Sequence, residues 1–506
     1  MLCTLLMLSA LLVGCGKETD NESETGSKDK SAAESSSDET AEQSSGTTSD
    51  NSTENPYVDS NGKYVKNDLP EFKDEWNTYT EFRVLVYNNT IQDTYFSEEI
   101  ESLYSTTDTK IVEGVNDRNK WIEDNYGIKI KAVAVENVLT TFRNDVSTDL
   151  NSFDVAMPFM AACAALAQEG YLHDLCEFSE YIDLEAPWWD QNATDSLSIN
   201  GKVYFTTGDI SFMQKIVSSG IAFNTKLMEI YYPNVNMYEL VEEGKWTLDT
   251  FYTMCKTATN QGDSDEKMDE NDNWGCIGGD ISLYYSSGET LCSKNAEDIP
   301  QISIGETTRS VTVAQTVLTY LNEKGTWRIT VDDFSDQTDK WNTTVRMFGT
   351  DQSLFTAFAF SAIKKFRPYD VKFGVVPGPK FNEEQDNYYS KCAANMAYGI
   401  CIPFTSPDPE YCAYMIELLA VGGKNYISNA YYTSVLKGKD MDTEDDEEML
   451  DIIFGGIVYD TAIVYGFSGL SGIFGTAKAD TLISTLDSIR DSVQTAIDKV
   501  VDAYQN

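Results

Sequence analysis

The sequence predicts an α/β fold with largely parallel sheets. From Glu81 onward, short β-rich runs alternate with stretches of helical periodicity. Several of these runs stop at turn-forming residues, and no repeat of about 20 to 50 residues recurs. Hydrophobic residues make up 41% of the 506, including 29 Tyr, 23 Phe and 8 Trp, enough for large cores. At roughly 150 residues per domain, the length suggests two or three domains.

The first strand is Phe82-Arg83-Val84-Leu85-Val86-Tyr87, closed by the polar turn Asn88-Asn89-Thr90. Residues 111 to 126 place Val115, Ile122 and Tyr126 on one helical face and end at Gly127, a natural C-cap. Alternation over Ile128 to Val135 predicts the next strand. Phe153 to Met157 predicts another, stopped by Pro158 before an Ala-rich helix over 160 to 168. Thr247 is placed to N-cap a helix that opens at Leu248. Val371 to Val376 reads as a strand leaving into Pro377-Gly378-Pro379. Helical periodicity covers 410 to 421 and 479 to 504, where Leu482, Leu486, Ile489, Val493, Ile497 and Val500 form a packing stripe.

Charge excludes some functions. With 82 Asp+Glu against 37 Lys+Arg, the net charge of −45 repels phosphate backbones, so no nucleic-acid partner is expected. There is one histidine, His173, so a multi-histidine zinc site is impossible and any Ser-His-Asp or Cys-His chemistry rests on that residue.

Met1 to Val13 is almost continuously apolar and too short to span a bilayer. It ends at Leu12-Val13-Gly14-Cys15, which resembles a bacterial lipobox and marks Cys15 for lipidation, although no basic residue precedes it. Residues 1–15 are therefore expected to be a lipoprotein signal. In residues 16–55, 27 of 40 positions are Ser, Thr, Asp or Glu, and this composition predicts a disordered tether. Eight further cysteines, Cys163, Cys176, Cys255, Cys276, Cys292, Cys392, Cys401 and Cys412, have wide spacings and no CxxC, so no connectivity follows.

An ordered series of motifs runs from Asn116-Asp117-Arg118-Asn119 and Tyr126-Gly127-Ile128 through Phe153-Asp154-Val155, Gly170-Tyr171-Leu172-His173-Asp174-Leu175 and Pro187-Trp188-Trp189-Asp190. It continues with Asn200-Gly201-Lys202, Phe223-Asn224-Thr225-Lys226-Leu227, Gly244-Lys245-Trp246-Thr247, Phe373-Gly374-Val375-Val376-Pro377 and Tyr431-Tyr432. The series resembles the extracellular solute-binding proteins of ATP-driven (ABC) importers, in the branch that mostly takes sugars. The resemblance spans roughly residues 80 to 470 and implies a bilobal periplasmic-binding-protein-like fold (type II) closing by a hinge. It places lobe 1 at 80–208 plus 358–406 and lobe 2 at 209–357 plus 407–506, with crossovers near Gly208-Asp209, 350 to 358 and Phe404-Pro407. The implied protein is a non-enzymatic monomer at the extracellular face of the membrane. It captures a carbohydrate or other small polar solute for a permease and needs no cofactor.

Sugars present apolar C–H faces and rings of hydroxyls, so aromatics beside polar residues at strand ends and in loops are the candidates. These are Tyr87, Asn88 and Asn89 after the first strand; Trp188 and Trp189; Asp209 at the expected hinge; Tyr284, Tyr285, Trp341 and Tyr389; and Arg367 as a charged partner. Asp263, Asp265, Asp269 and Asp272 resemble a calcium loop, although Gln261 and Glu266 depart from its pattern. A secreted glycoside hydrolase and a receptor for a peptide or another polar solute stay open as alternatives.

Overall fold

The computed structural model describes residues 55–91, 95–105, 107–262, 267–323, 325–436 and 444–505. Cys15, the signal and all but the last residue of the tether lie outside these. In chain order the strands are β1 (Glu81–Tyr87), β2 (Lys129–Val135), β3 (Val155–Ala156), β4 (Ser219–Asn224), β5 (Trp274–Ile277) and β6 (Cys292–Lys294). There follow β7 (Pro300–Ile302), β8 (Arg328–Ile329), β9 (Ser353–Ala359), β10 (Phe373–Val376), β11 (Ser390–Lys391) and β12 (Ile457–Val458).

Two sheets organise two lobes. The smaller has the order β2-β1-β3 and is all parallel, with Glu81 opposite Lys129 and Tyr87 opposite Val135. The larger has the order β10-β4-β9-β5-β8, in which β4 alone runs against its neighbours. Local chemistry sets the element ends. Gly127 caps the helix Thr109–Tyr126 at φ 71°, in the left-handed region where a glycine costs least. The Thr247 side chain accepts from Thr250 N–H and caps the helix Leu248–Ala258.

The chain passes between the lobes at places that only partly match the expected boundaries. The first crossing follows Thr206, which pairs with Ile400 beside the smaller sheet, and leads to Ser219 at the start of β4. No crossing occurs at 350 to 358, because those residues run into and along β9 inside the larger sheet. β10 also belongs there, with Phe373 opposite Asn224, so the segment around 373–376 is not part of lobe 1 as expected. The chain regains the smaller sheet only where Phe159 pairs with Tyr398 and Ala156 with Cys401. Phe404-Pro407 is still on that lobe, since Phe404 N–H donates to Tyr171 C=O at 2.8 Å. The helix Pro409–Gly422 stays there too, with Tyr411 packed on Phe82 and Trp76 donating its indole N–H to Asp408.

That helix runs into one π-helical turn, Gly423–Ile427, which still packs on the helix Thr109–Tyr126, and the third crossing follows through the helix Ser428–Leu436, where Ser434 C=O accepts from Arg367. Gly423 lies against the first crossing: a Cβ there would come 1.9 Å from the Asp209 carbonyl oxygen. A backbone oxygen cannot yield as a flexible side chain does. Gly423→Ala is therefore expected to cost at least about 2 kcal/mol, read as a lowered midpoint in urea unfolding at unchanged slope.

Candidate functional site

In α/β folds ligands gather at the carboxyl ends of parallel strands, so the loops after β1, β5 and β9 and the crossings define the region to search. Tyr87 ends β1 and is buried in a three-ring stack, 4.3 Å from Phe159 and 5.9 Å from Tyr398 between centroids. Asn88 is half-buried and shapes its own turn, accepting from Thr90 N–H and Oγ1, while Asn89 is exposed. These three sit at the expected edge, but the ring of Tyr87 serves packing.

The adjacent tryptophans do not face a ligand. Both are buried, and their indole N–H groups donate to one carboxylate, Glu417, at 3.1 Å from Trp188 and 2.9 Å from Trp189. A buried indole needs an acceptor, and this carboxylate supplies two. Burial raises the Glu417 carboxyl to about 8, outweighing the indole hydrogen bonds, which lower it. Trp188 in turn accepts from Asp209 N–H at 2.8 Å, and Gly208 lies against both tryptophan backbones.

Asp209 is likewise occupied. Its carboxylate bonds Lys215 Nζ at 3.3 Å, Lys424 Nζ at 3.2 Å and the Ser428 hydroxyl. Burial opposes its charged form, yet Lys215 and Lys424 together hold its carboxyl below the usual carboxylate range. Asp209 thus joins the first crossing to the third.

Other candidates also separate. Tyr284 is buried, its hydroxyl bonding Thr290 C=O and Ser310 Oγ. Trp341 is 64% exposed, with Lys340 above its ring. Arg367 donates to Ser434 C=O at 2.7 Å, a bond within the fold. Asp263 and Asp265 lie outside the described residues. Asp269 accepts from Asn271, and buried Asp272 accepts from Gly262 and Asp269 N–H, which ties the loop to itself. Among the described residues no group of three His, Cys, Asp or Glu is disposed to hold a metal ion.

Tyr285 and Tyr389 come together. They line a cavity of about 790 Å³ with Tyr388, Asn387, Asp386, Asn192 and Asp451, a volume within the roughly 300–1,000 Å³ of small-molecule sites. Its walls come from far apart in the chain: the helix Gln191–Leu197, the short helix Ser282–Ser286 and the loop after it, the segment before β11, and the end of the helix Glu444–Gly455 with β12. The helix Gln191–Leu197 is tied to the first crossing, where Thr194 Oγ1 and Thr206 Oγ1 lie 2.8 Å apart. Asp460 fixes the Tyr285 wall from behind the lining, accepting from Tyr285 OH at 3.1 Å and Leu291 N–H at 2.7 Å. Burial raises the Asp460 carboxyl to about 6. Asp386 and Asn387 are exposed at the rim. Sequence reasoning missed Asn387 and Tyr388, although Asn387-Tyr388-Tyr389 is the pattern of aromatics beside an amide that singled out Tyr389. Asn192 and Asp451 carry no comparable local signal.

Two α/β lobes joined by three crossings form the frame, and a polar-aromatic cavity lies among the walls just named. The model of the bacterial extracellular solute-binding protein family matches residues 102–411, more than half of the chain, and the chain belongs to that family. No curated protein matches it. Among solved structures it resembles a cyclo/maltodextrin-binding protein complexed with maltotetraose, at 12% identity, TM-score 0.51, covering 84% of this chain and 97% of that one. Others include an ABC substrate-binding protein from Listeria monocytogenes in complex with cycloalternan (13%, TM-score 0.49, 84% and 99%) and maltose-bound T. maritima MalE3 (12%, TM-score 0.47, 83% and 98%).

Proposed function

We propose that this protein is a lipid-anchored receptor that captures an oligosaccharide and passes it to an ABC permease without chemical turnover. The observation that carries the reading is the cavity, where the half-buried Tyr388 and Tyr389 meet Asn387, Asn192, Asp386 and Asp451 beside the buried Tyr285. Tyrosine faces suit sugar C–H surfaces, and amides and carboxylates suit hydroxyls. The maltotetraose held by the first of the similar structures supports the same ligand class. The lipobox-like Leu12-Val13-Gly14-Cys15 supports the anchor, and the acidic composition of residues 16–55 supports a tether that holds the body clear of the membrane. Closure about the crossings would trap the ligand, because a ligand shifts the lobes only as far as it binds the closed state better.

A thermal-shift screen over mono- and oligosaccharides tests this. A bound sugar raises Tm with concentration by mass action, and Tyr389→Ala weakens the apparent affinity by about tenfold or more. A sugar that shifts the wild type and Tyr389→Ala equally would remove the cavity from the account.

A further inference from the structure

The cavity is one-sided in its hydrogen-bonding chemistry. Asn192 uses its side-chain N–H₂ within the fold, on Gly455 C=O at 3.1 Å and Ile457 C=O at 3.0 Å, which leaves only its carbonyl oxygen for a ligand. Tyr285 OH donates to Asp460, and Tyr388 OH donates to Val241 C=O at 3.0 Å, so neither phenol proton is offered to a ligand. The backbone N–H groups of Gly288 and Gly456 are taken by Tyr285 C=O and Ile452 C=O. Three carboxylates share the lining, Glu289, Asp386 and Asp451, and among the described residues no Lys, Arg or His joins them. Arg309 is committed elsewhere: its Nε lies 2.9 Å from Glu289, and a terminal N–H donates to Ser287 C=O at 3.0 Å. Lys380 Nζ lies 5.2 Å from the Tyr388 ring centroid, but that lysine is buried and outside the lining. Asp386 and Asp451 therefore face the cavity's exposed side with no lining cation to offset them.

We infer that Asp386 and Asp451 make this cavity selective by charge: it takes glycans that donate through hydroxyl or ammonium groups and rejects those that carry carboxylate, sulfate or phosphate. The inference rests on the carbohydrate reading of the site. A hydroxyl or ammonium meets a carboxylate as a donor and satisfies it. An anionic sugar brings acceptors to a lining of acceptors and sets its charge against two like charges, which specific sites use to exclude wrong partners. The net charge of −45 adds a long-range repulsion that salt screens, whereas contact with Asp386 or Asp451 acts at short range and belongs to those two side chains.

The test titrates the full chain at low salt with tetrasaccharides of gluco, manno and galacto configuration. Each is used as the unmodified sugar, as its C6 uronate, as the uronamide (the same shape without the charge) and as the 6-amino-6-deoxy form. The expected result is that the uronamide binds at least about tenfold more tightly than the uronate, with the amino form at least as tight as the uronamide. Asp386→Asn combined with Asp451→Asn is expected to narrow the uronate–uronamide gap to about threefold or less; both side chains are exposed, so the fold tolerates the change. A uronate that binds the wild type as tightly as its uronamide overturns the charge selection and leaves the carbohydrate reading standing. A gap that the double variant keeps in full overturns the assignment to these two carboxylates. Silence of every probe, the unmodified sugars included, brings down the carbohydrate reading and this inference with it.

Discussion

Glu417→Ala lowers the stability of the protein by about 3–5 kcal/mol, since it leaves two buried indole N–H groups without an acceptor and opens a cavity behind them. Glu417→Gln costs less but still sets an amide N–H₂ against one of the indoles. The carboxyl also makes stability depend on pH in a defined direction. Its folded value of about 8 lies above the ordinary 4.5, so the folded state binds this proton more tightly than the unfolded chain. Its contribution is therefore complete below about pH 4.5 and is lost as pH rises through 8. Urea unfolding of the wild type and Glu417→Gln between pH 5 and 8 checks this: the advantage of the wild type shrinks as pH rises. A difference that stays flat or grows contradicts the assignment.

Asp209→Ala is expected to cost a comparable amount, about 3–5 kcal/mol, because Lys215 and Lys424 then share a mostly buried site without their counter-charge. Asp209→Asn keeps the shape and the Ser428 contact, and so separates charge from packing. The sign here is opposite to that of Glu417. The depressed carboxyl of Asp209 contributes fully above its ordinary value of 3.8 and loses that contribution as pH falls through its lower folded value. Stability curves of both variants from pH 3 to 7 measure this. Equal losses at the two ends would mean that the lysines do not read the charge.

What the sequence disclosed was local. Gly127, Thr247 and Pro158 mark element ends through φ preference, a hydroxyl acceptor and a missing N–H, each acting within a few residues. The Leu482 to Val500 stripe is buried as its spacing implies, with Ile489 only half-buried. Lobe boundaries were not legible, because β10 joins β4 across about 150 residues and no local pattern announces that pairing. The site shows the same division. Tyr284 and Tyr285 are adjacent on a short helix, where successive side chains point about 100° apart, so one faces the cavity and the other the core. Trp188 and Trp189 look like a platform only until Glu417 is found, and it lies 228 residues from Trp189. Asp209 lies beside the first crossing, and its carboxylate is held by two lysines, one near it in sequence and one far from it.

The central claim is reversible capture of a carbohydrate by a two-lobed receptor, and isothermal titration calorimetry against a panel of mono- and oligosaccharides tests it most directly. The account predicts heat that saturates near one equivalent and returns to baseline after every injection. Heat that persists after each injection would mean turnover, and silence across the panel would contradict the carbohydrate assignment.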